Sequence, residues 1–242
     1  MSLNPYVVFA TPTFSRHPSY EFCGSMEEAC FLFGRHGIKV IHLYYPGFQF
    51  IDAARNVLAK MMLEDHPDAT DFFFIDDDVG SFQPEKVLEF VARPQAVVAG
   101  SPPLKVMGDT QFPVALHATA EGNVIEVDGL MLARQVPAGF LRIKRQVIEQ
   151  LAAKSDTYIV HEANGVQRVV FDIFNCGPQK GQFVGEDDYF CWRCAQEDIE
   201  IWLDPDVEFS HRGTHKWEGT FRKELSRFLN GTHPTAQLRE MK

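Results

Sequence analysis

The first hundred residues alternate between two hydrophobic periods, and that alternation restricts the chain to a narrow set of folds. The stretches "YVVFA" (6–10), "IKVIHLYY" (38–45), "DFFFI" (71–75) and "AVVAG" (96–100) are short and apolar, and most are rich in β-branched or aromatic residues, as strands are. Helical patterns fall between them. In "SMEEACFLFGRHG" (25–37), Ser25 and Glu28 stand at capping-box spacing and Gly37 stands where a helix stops. In "IDAARNVLAKMMLED", Ile51, Ala54, Leu58, Met61 and Met62 recur at helical spacing. "PEKVLEFVA" opens on Pro84, suited to a first helical turn. Strands alternating with helices imply a mostly parallel sheet covered on both faces, with ligands bound beyond the carboxyl ends of its strands.

The second half reads differently. "FPVALHA", "NVIEVDG" and "VPAGFLRI" predict short antiparallel additions between residues 112 and 143. "RQVIEQLAAK" is a helix and "VQRVVFDIF" a strand. "GEDDYFCWRCAQED" sets Phe190, Cys191, Cys194 and Ala195 on one helical face. "IEIWLDPDVEFSH" is strand, turn and strand, "GTFRKELSRFL" a last helix, and 231–242 a polar tail.

Composition excludes some functions. A net charge of -10 argues against nucleic acid as the main partner, because phosphate backbones require a basic surface. Five cysteines, an odd number, read as free thiols in a reducing compartment, and the pair in "CWRC" as buried helix residues. No secretory signal and no apolar run of membrane-spanning length is visible, so a soluble, cytoplasmic protein is expected.

The chemistry centres on "FFFIDDDVG" (72–80), where four apolar strand residues run into Asp76, Asp77 and Asp78. Adjacent carboxylates repel, and none is buried cheaply without a partner, so a positive group belongs there. In an extended or turning segment Asp76 and Asp78 point to one side and Asp77 to the other. Two hard oxygen ligands on one side suit Mg²⁺ or Mn²⁺ completed by water and a diphosphate. The plain alternative is a solvated acidic turn. On the helix at 51–65 the apolar stripe leaves Asp52, Arg55 and Asn56 off the core face. Arg55 is then either a fork for phosphate or the partner of Asp52 in a surface salt bridge. Glu186, Asp187 and Asp188 crowd three acids at a helix start, where one can cap the helix while a neighbour serves as general base. Ala138 and Gly139 admit close backbone approach, Trp217 is a core aromatic or a sugar platform, and Lys105 in "SPPLK" is by default a surface lysine, the alternative being that the segment carries it towards the pocket.

A hydrophobic strand that ends in Asp-any-Asp resembles the nucleotide-sugar glycosyltransferases of the GT-A fold, of the family 2 type. Three further stretches resemble them in chain order: "VFATPTFSR", "IDAARNVLAK" and "GEDDYFCWRCAQEDIEIWLDPDVEFSHRG". The resemblance implies a Rossmann-like, mostly parallel twisted sheet flanked by helices, with a smaller antiparallel acceptor-side addition. It implies one domain over 1–242, with a nucleotide-binding half to about residue 110 and an acceptor half over about 111–230. Thr11, Pro12, Thr13, Asp52, Arg55, Asn56, Asp76 and Asp77 would then contact the donor nucleotide. Asp76, Asp78 and His211 would hold Mn²⁺ or Mg²⁺, with His215 the less apt histidine. Asp187 would be the base, with Asp188 in reserve and Glu186 beside them. The implied reaction moves a sugar from a nucleotide-diphospho-sugar, UDP-linked, to a carbohydrate or other hydroxyl acceptor with inversion. Two alternatives stand beside it. A nucleotidyltransferase of related fold commonly has a glycine-rich basic loop after the first strand, where "TPTFSRHPSYEFCG" has one arginine; the other is a non-catalytic cation-binding module.

Overall fold

Phe72 and Phe74 face one core and Phe73 and Ile75 face another, and all four are fully buried. A strand covered on both sides by apolar residues has no polar face to alternate with, which accounts for the unbroken apolar run. The computed structural model describes residues 5–162, 165–179 and 181–230; the predicted tail at 231–242 lies outside the described residues.

In chain order the elements begin β1 (Tyr6–Thr13), α1 (Tyr20–Arg35), β2 (Lys39–Pro46), α2 (Ile51–Asp65), β3 (Asp71–Ile75), β4 (Val79–Gly80), α3 (Pro84–Ala92) and β5 (Val97–Ala99). They continue with β6 (Ala115–Leu116), β7 (Glu126–Val127), β8 (Leu130–Gln135), β9 (Phe140–Lys144) and α4 (Arg145–Ala153). Then come β10 (Thr157–His161), β11 (Gln167–Phe171), β12 (Gly177–Gln179), β13 (Gln182–Val184) and α5 (Glu186–Gln196). The series ends with β14 (Ile201–Leu203), β15 (Phe209–Arg212), β16 (Lys216–Gly219) and α6 (Phe221–Leu229).

The main sheet runs β2-β1-β3-β9-β5-β14-β8-β6, with β7 paired to β8. β2, β1 and β3 are mutually parallel, and β5 and β14 are parallel to each other. β9 lies antiparallel to both β3 and β5, so β5 runs in the direction of β3. The molecule therefore has the expected α/β architecture of GT-A type, a mostly parallel sheet flanked by helices with small antiparallel sheets beside it. This topology brings the carboxyl ends of β1, β3 and β5 to one edge, together with the start of β9. The loop after β3 is held there by a small sheet, β16-β15-β4, in which His211 lies opposite Val79.

Four local expectations need correction. α1 starts at Tyr20, not Ser25: the Ser19 hydroxyl accepts the Phe22 N–H at 3.1 Å, and the extra turn buries Phe22. β9 is not a peripheral addition, because its apolar residues are needed to fill the gap between β3 and β5 at the sheet centre. In α5 the buried face carries Arg193 rather than Ala195, since the guanidinium reaches the carbonyls of Asp172, Leu151 and Lys154. In α2, Arg55 and Asn56 are 2% and 1% exposed, whereas Ile51 is 37% exposed. That helix packs against both β1 and β11, so the face read as solvated is a second buried face. The five cysteines are free thiols, as expected, with Cys191 and Cys194 buried.

Candidate active site

The acidic triplet is a turn between β3 and β4, and other elements hold its backbone. The Asp76 N–H donates to Gly139 O at 3.0 Å, Ser19 N–H to Asp77 O at 2.7 Å and Arg212 N–H to Asp78 O at 2.8 Å. Two glycines make room for this turn. A Cβ on Gly80 would stand 2.3 Å from the Glu21 carbonyl carbon, and one on Gly139 3.0 Å from Asp76 Oδ2. The small residue read as a donor-side approach is thus also required by the aspartate itself.

The three side chains diverge. Asp76 Oδ2 accepts from Arg55 Nη2 at 3.0 Å, and Arg55 Nε reaches Glu186 Oε1 at 3.3 Å, over the ring of Phe74. Arg55 therefore joins the acidic turn to the acidic start of α5, and it does not pair with Asp52. Burial alone would lower the guanidinium pKa, but Asp76 and Glu186 outweigh it and keep Arg55 charged. Its Nη1 and Asp76 Oδ1 are buried with no hydrogen-bond partner among the described residues, whereas the Asp77 carboxylate faces the Thr13 hydroxyl. Such orphaned polar atoms are rare in a folded interior and mark a place where a ligand completes the bonding. Burial also raises the Asp77 carboxyl above its ordinary range.

Asp78 meets two cationic or ligating groups. Lys105 Nζ bonds its Oδ2, and His211 Nε2 lies 3.3 Å from its Oδ1. Burial alone would raise the Asp78 carboxyl, but His211 and Lys105 together hold it below the usual range. His211 Nδ1 lies 2.6 Å from Pro103 O, and a carbonyl only accepts, so Nδ1 carries the proton. Such a backbone anchor is the usual device for orienting a metal-binding imidazole. With Nδ1 protonated, Nε2 meets the carboxylate oxygen either as the second donor of an imidazolium or, in a neutral ring, as a lone pair that a cation would bridge to it. Two cis ligands of one octahedral Mg²⁺ or Mn²⁺ lie about 3 Å apart, close to this spacing. Asp78 and His211 thus fit a divalent cation as a pair. Among the described residues no three His, Cys, Asp or Glu side chains form a metal shell by themselves, and Asp76 is turned onto Arg55.

At the start of α5 the acids have separate bonds. Glu186 holds Arg55 and accepts weakly from Cys176 Sγ at 3.8 Å; burial, then Glu186, pushes that thiol up to about 11. Asp188 Oδ1 accepts from Gln135 Nε2 of β8. Asp187 Oδ1 accepts the Asp188 N–H at 2.8 Å, and its Oδ2 has no hydrogen-bond partner among the described residues. Burial raises the Asp187 carboxyl to about 6, with Glu186 and Asp188 adding repulsion. A pKa there suits a general base that is ionised at neutral pH yet still basic.

The remaining nucleotide-side candidates are placed as follows. Asn56 is turned inward: Nδ2 donates to Tyr158 Oη and Phe174 O, and Oδ1 accepts from the Ile173 and Phe174 N–H groups. Asp52 accepts from Ala53 N at 2.8 Å and Cys176 N at 3.2 Å, tying α2 to the segment just before β12. Thr11 gives its one proton to Ile75 O, so His42 Nε2 donates to it; burial depresses His42 to about 4 and keeps it neutral. Pro12 and Thr13 are buried at the end of β1, where Gly47 N donates to Thr13 O at 2.7 Å. Trp217 donates to Val106 O, and its ring meets His215 edge-on. Gln135 carries no spacing signal in the sequence, whereas Lys105 takes the pocket-side alternative to its surface default and pairs with Asp78.

No family model matches the chain, and no curated protein matches it. Among solved structures, A197 from STIV is similar in fold, with TM-score 0.52, 16% identity and coverage of 90% of this chain and 91% of that one. A glycosyltransferase involved in glycosylation of the major capsid of PBCV-1 aligns over 60% of this chain and 63% of its own, with 14% identity and TM-score 0.35. HddC from Yersinia pseudotuberculosis covers 60% here and 79% there, at 10% identity and TM-score 0.31. The first likeness bears on the fold alone, and the other two are too partial to bear on either fold or chemistry. Among the described residues no helix is long and apolar enough to cross a membrane.

Proposed function

We propose that the protein is a glycosyltransferase that moves a sugar from a nucleotide-diphospho-sugar, UDP-linked, to a carbohydrate or other hydroxyl acceptor with inversion. One observation carries the reading. On the carboxyl edge of a GT-A-type sheet, Arg55 ties the strand-end aspartates to an acid cluster in which Asp187 is raised to about 6. Asp78 and His211, with the partnerless Oδ1 of Asp76 on the same edge, would hold Mn²⁺ or Mg²⁺, which neutralises charge on a departing diphosphate when bound. Burial raises the Asp76 carboxyl and Arg55 opposes that rise, while the free Nη1 of Arg55 is a donor for a phosphate or sugar oxygen. Thr11, Pro12, Thr13, Asp52 and Asp77 line the nucleotide end, with Asn56 fixing the α2 backbone that presents Arg55. Asp187 Oδ2 takes the acceptor's hydroxyl proton as its oxygen bonds the anomeric carbon. The bond from that carbon to the diphosphate breaks, and its electron pair leaves with the phosphate. Asp188, held by Gln135, and Glu186, held by Arg55, keep Asp187 in place.

The test is a donor screen: each common nucleotide-sugar is incubated with Mn²⁺ and an acceptor panel, and nucleoside diphosphate release is recorded. Release from one donor supports the reading. Absence of turnover and of binding across the panel removes it, and a response to triphosphates alone would point to a nucleotidyltransferase.

A further inference from the structure

We infer that Lys105 is a displaceable counter-ion: it holds Asp78 while the donor is absent, then gives up that carboxylate and moves onto the donor's diphosphate. The inference rests on the function proposed above and concerns how its donor site is kept and filled. Lys105 lies in the segment after β5, and both of its flanks are pinned. His211 donates to Pro103 O at 2.6 Å and Trp217 to Val106 O at 2.5 Å, while Leu104 N–H closes the loop on Gln111 O at 2.7 Å. The hairpin β15–β16 supplies both His211 and Trp217, so one element orients the imidazole beside Asp78 Oδ1 and also delivers the ammonium to Oδ2. Gly213, in the same hairpin, completes the path: a Cβ there would stand 3.4 Å from Lys105 Cδ. A side chain routed this way is a built counter-charge rather than a stray surface lysine.

The same geometry makes the contact temporary. The Lys105 and Asp78 side chains are 34% and 33% exposed, so water reaches the pair and can replace either partner when it moves. With its loop backbone fixed, the four-carbon stem still swings the ammonium by several ångströms. A divalent cation at Asp78 Oδ1 and His211 Nε2 would sit beside that ammonium as a like charge, so both cannot occupy the carboxylate at full strength. A diphosphate brought to the same edge offers Lys105 an anion in exchange.

Manganese binding to the whole protein without nucleotide, followed by calorimetry or by loss of the free-ion spin-resonance signal, tests this directly. Lys105→Met keeps the stem and removes the charge, and is expected to bind Mn²⁺ about five- to tenfold more tightly than the native protein. UDP affinity measured without metal is expected to fall in the same variant. Lys105→Arg, whose guanidinium grips a carboxylate with two bonds, is expected to weaken Mn²⁺ binding. Equal manganese affinity in all three proteins overturns the inference and leaves the proposed function standing. If none of the three binds manganese even with UDP present, the metal in the proposed function falls and the inference falls with it.

Discussion

Asp187 is the residue on which pH should act. It is a raised acid, so the native state binds its proton up to about pH 6 and the unfolded chain releases it near pH 4. The catalytic base is therefore lost as pH falls through about 6, and kcat/KM for transfer should show an acid limb there. Asp187→Asn should abolish transfer while leaving donor affinity within about twofold, read by product assay and calorimetry. The sign for stability is the reverse of the common carboxylate case. The raised pKa makes the ionised native state costly, so stability falls as pH rises from about 4 to 6. Asp187→Asn should then unfold at higher urea than the native protein at pH 8, by about 1–2 kcal/mol, with the gain disappearing at pH 4. Asn56 presents the opposite balance. Its side chain satisfies two backbone N–H groups and one carbonyl around Phe174, so Asn56→Ala orphans all three and should cost about 3 kcal/mol in urea unfolding. A full loss of UDP binding with stability unchanged would instead make Asn56 a direct ligand contact.

Among the elements, α1 and the β3–β4 turn depend most on each other. α1 is capped by Ser19, whose own N–H holds the Asp77 carbonyl, and its first turn lies on Gly80. Gly80→Ala places a methyl group within 2.3 Å of backbone that has no rotamer to turn away. Overpacking of that kind costs about 1–3 kcal/mol, so the variant should melt several degrees lower and also lose donor binding, because the aspartates shift with the turn. Gly108 is the control: a Cβ there meets nothing within 4 Å, but its φ of +103° strains any other residue, so Gly108→Ala should cost stability without touching the turn. β9 shows a different dependence. It completes the sheet centre and sends Arg142, fully buried, to the carbonyls of Phe90 and Gln95. Gly139, the residue just before the same strand, fixes Asp76 through its carbonyl, so core and site share one support.

Over the whole molecule, ligand linkage is the expected signature. A donor analogue that binds only the native state at a hundred times its Kd adds about 2.7 kcal/mol of stability. For a chain of 242 residues that raises the melting temperature by about 5–10 °C. UDP with Mn²⁺ should produce such a shift in differential scanning fluorimetry, and Asp78→Ala should remove it. A shift that survives Asp78→Ala would place nucleotide binding away from the acidic turn. The net charge of -10 makes salt part of the same test, since an anionic donor approaches an acidic protein faster as ionic strength rises.

The amino-acid sequence alone determined the alternating elements, the bounds of α2 and α3, and the arrival of three aspartates at a strand's carboxyl end. Those features are written locally, in apolar period, proline placement and a run of like charge, which one segment carries without its neighbours. It did not disclose which strand would lie between β3 and β5, because β9 carries Arg142 and Lys144 among its five residues and pairing is a long-range choice. Nor did it disclose that Arg55 would leave Asp52 for Asp76 and Glu186, residues 21 and 131 positions away. Only the tertiary structure decided those partners: a buried charge takes whichever counter-charges the fold brings into the same dry space, and chain distance has no bearing on that.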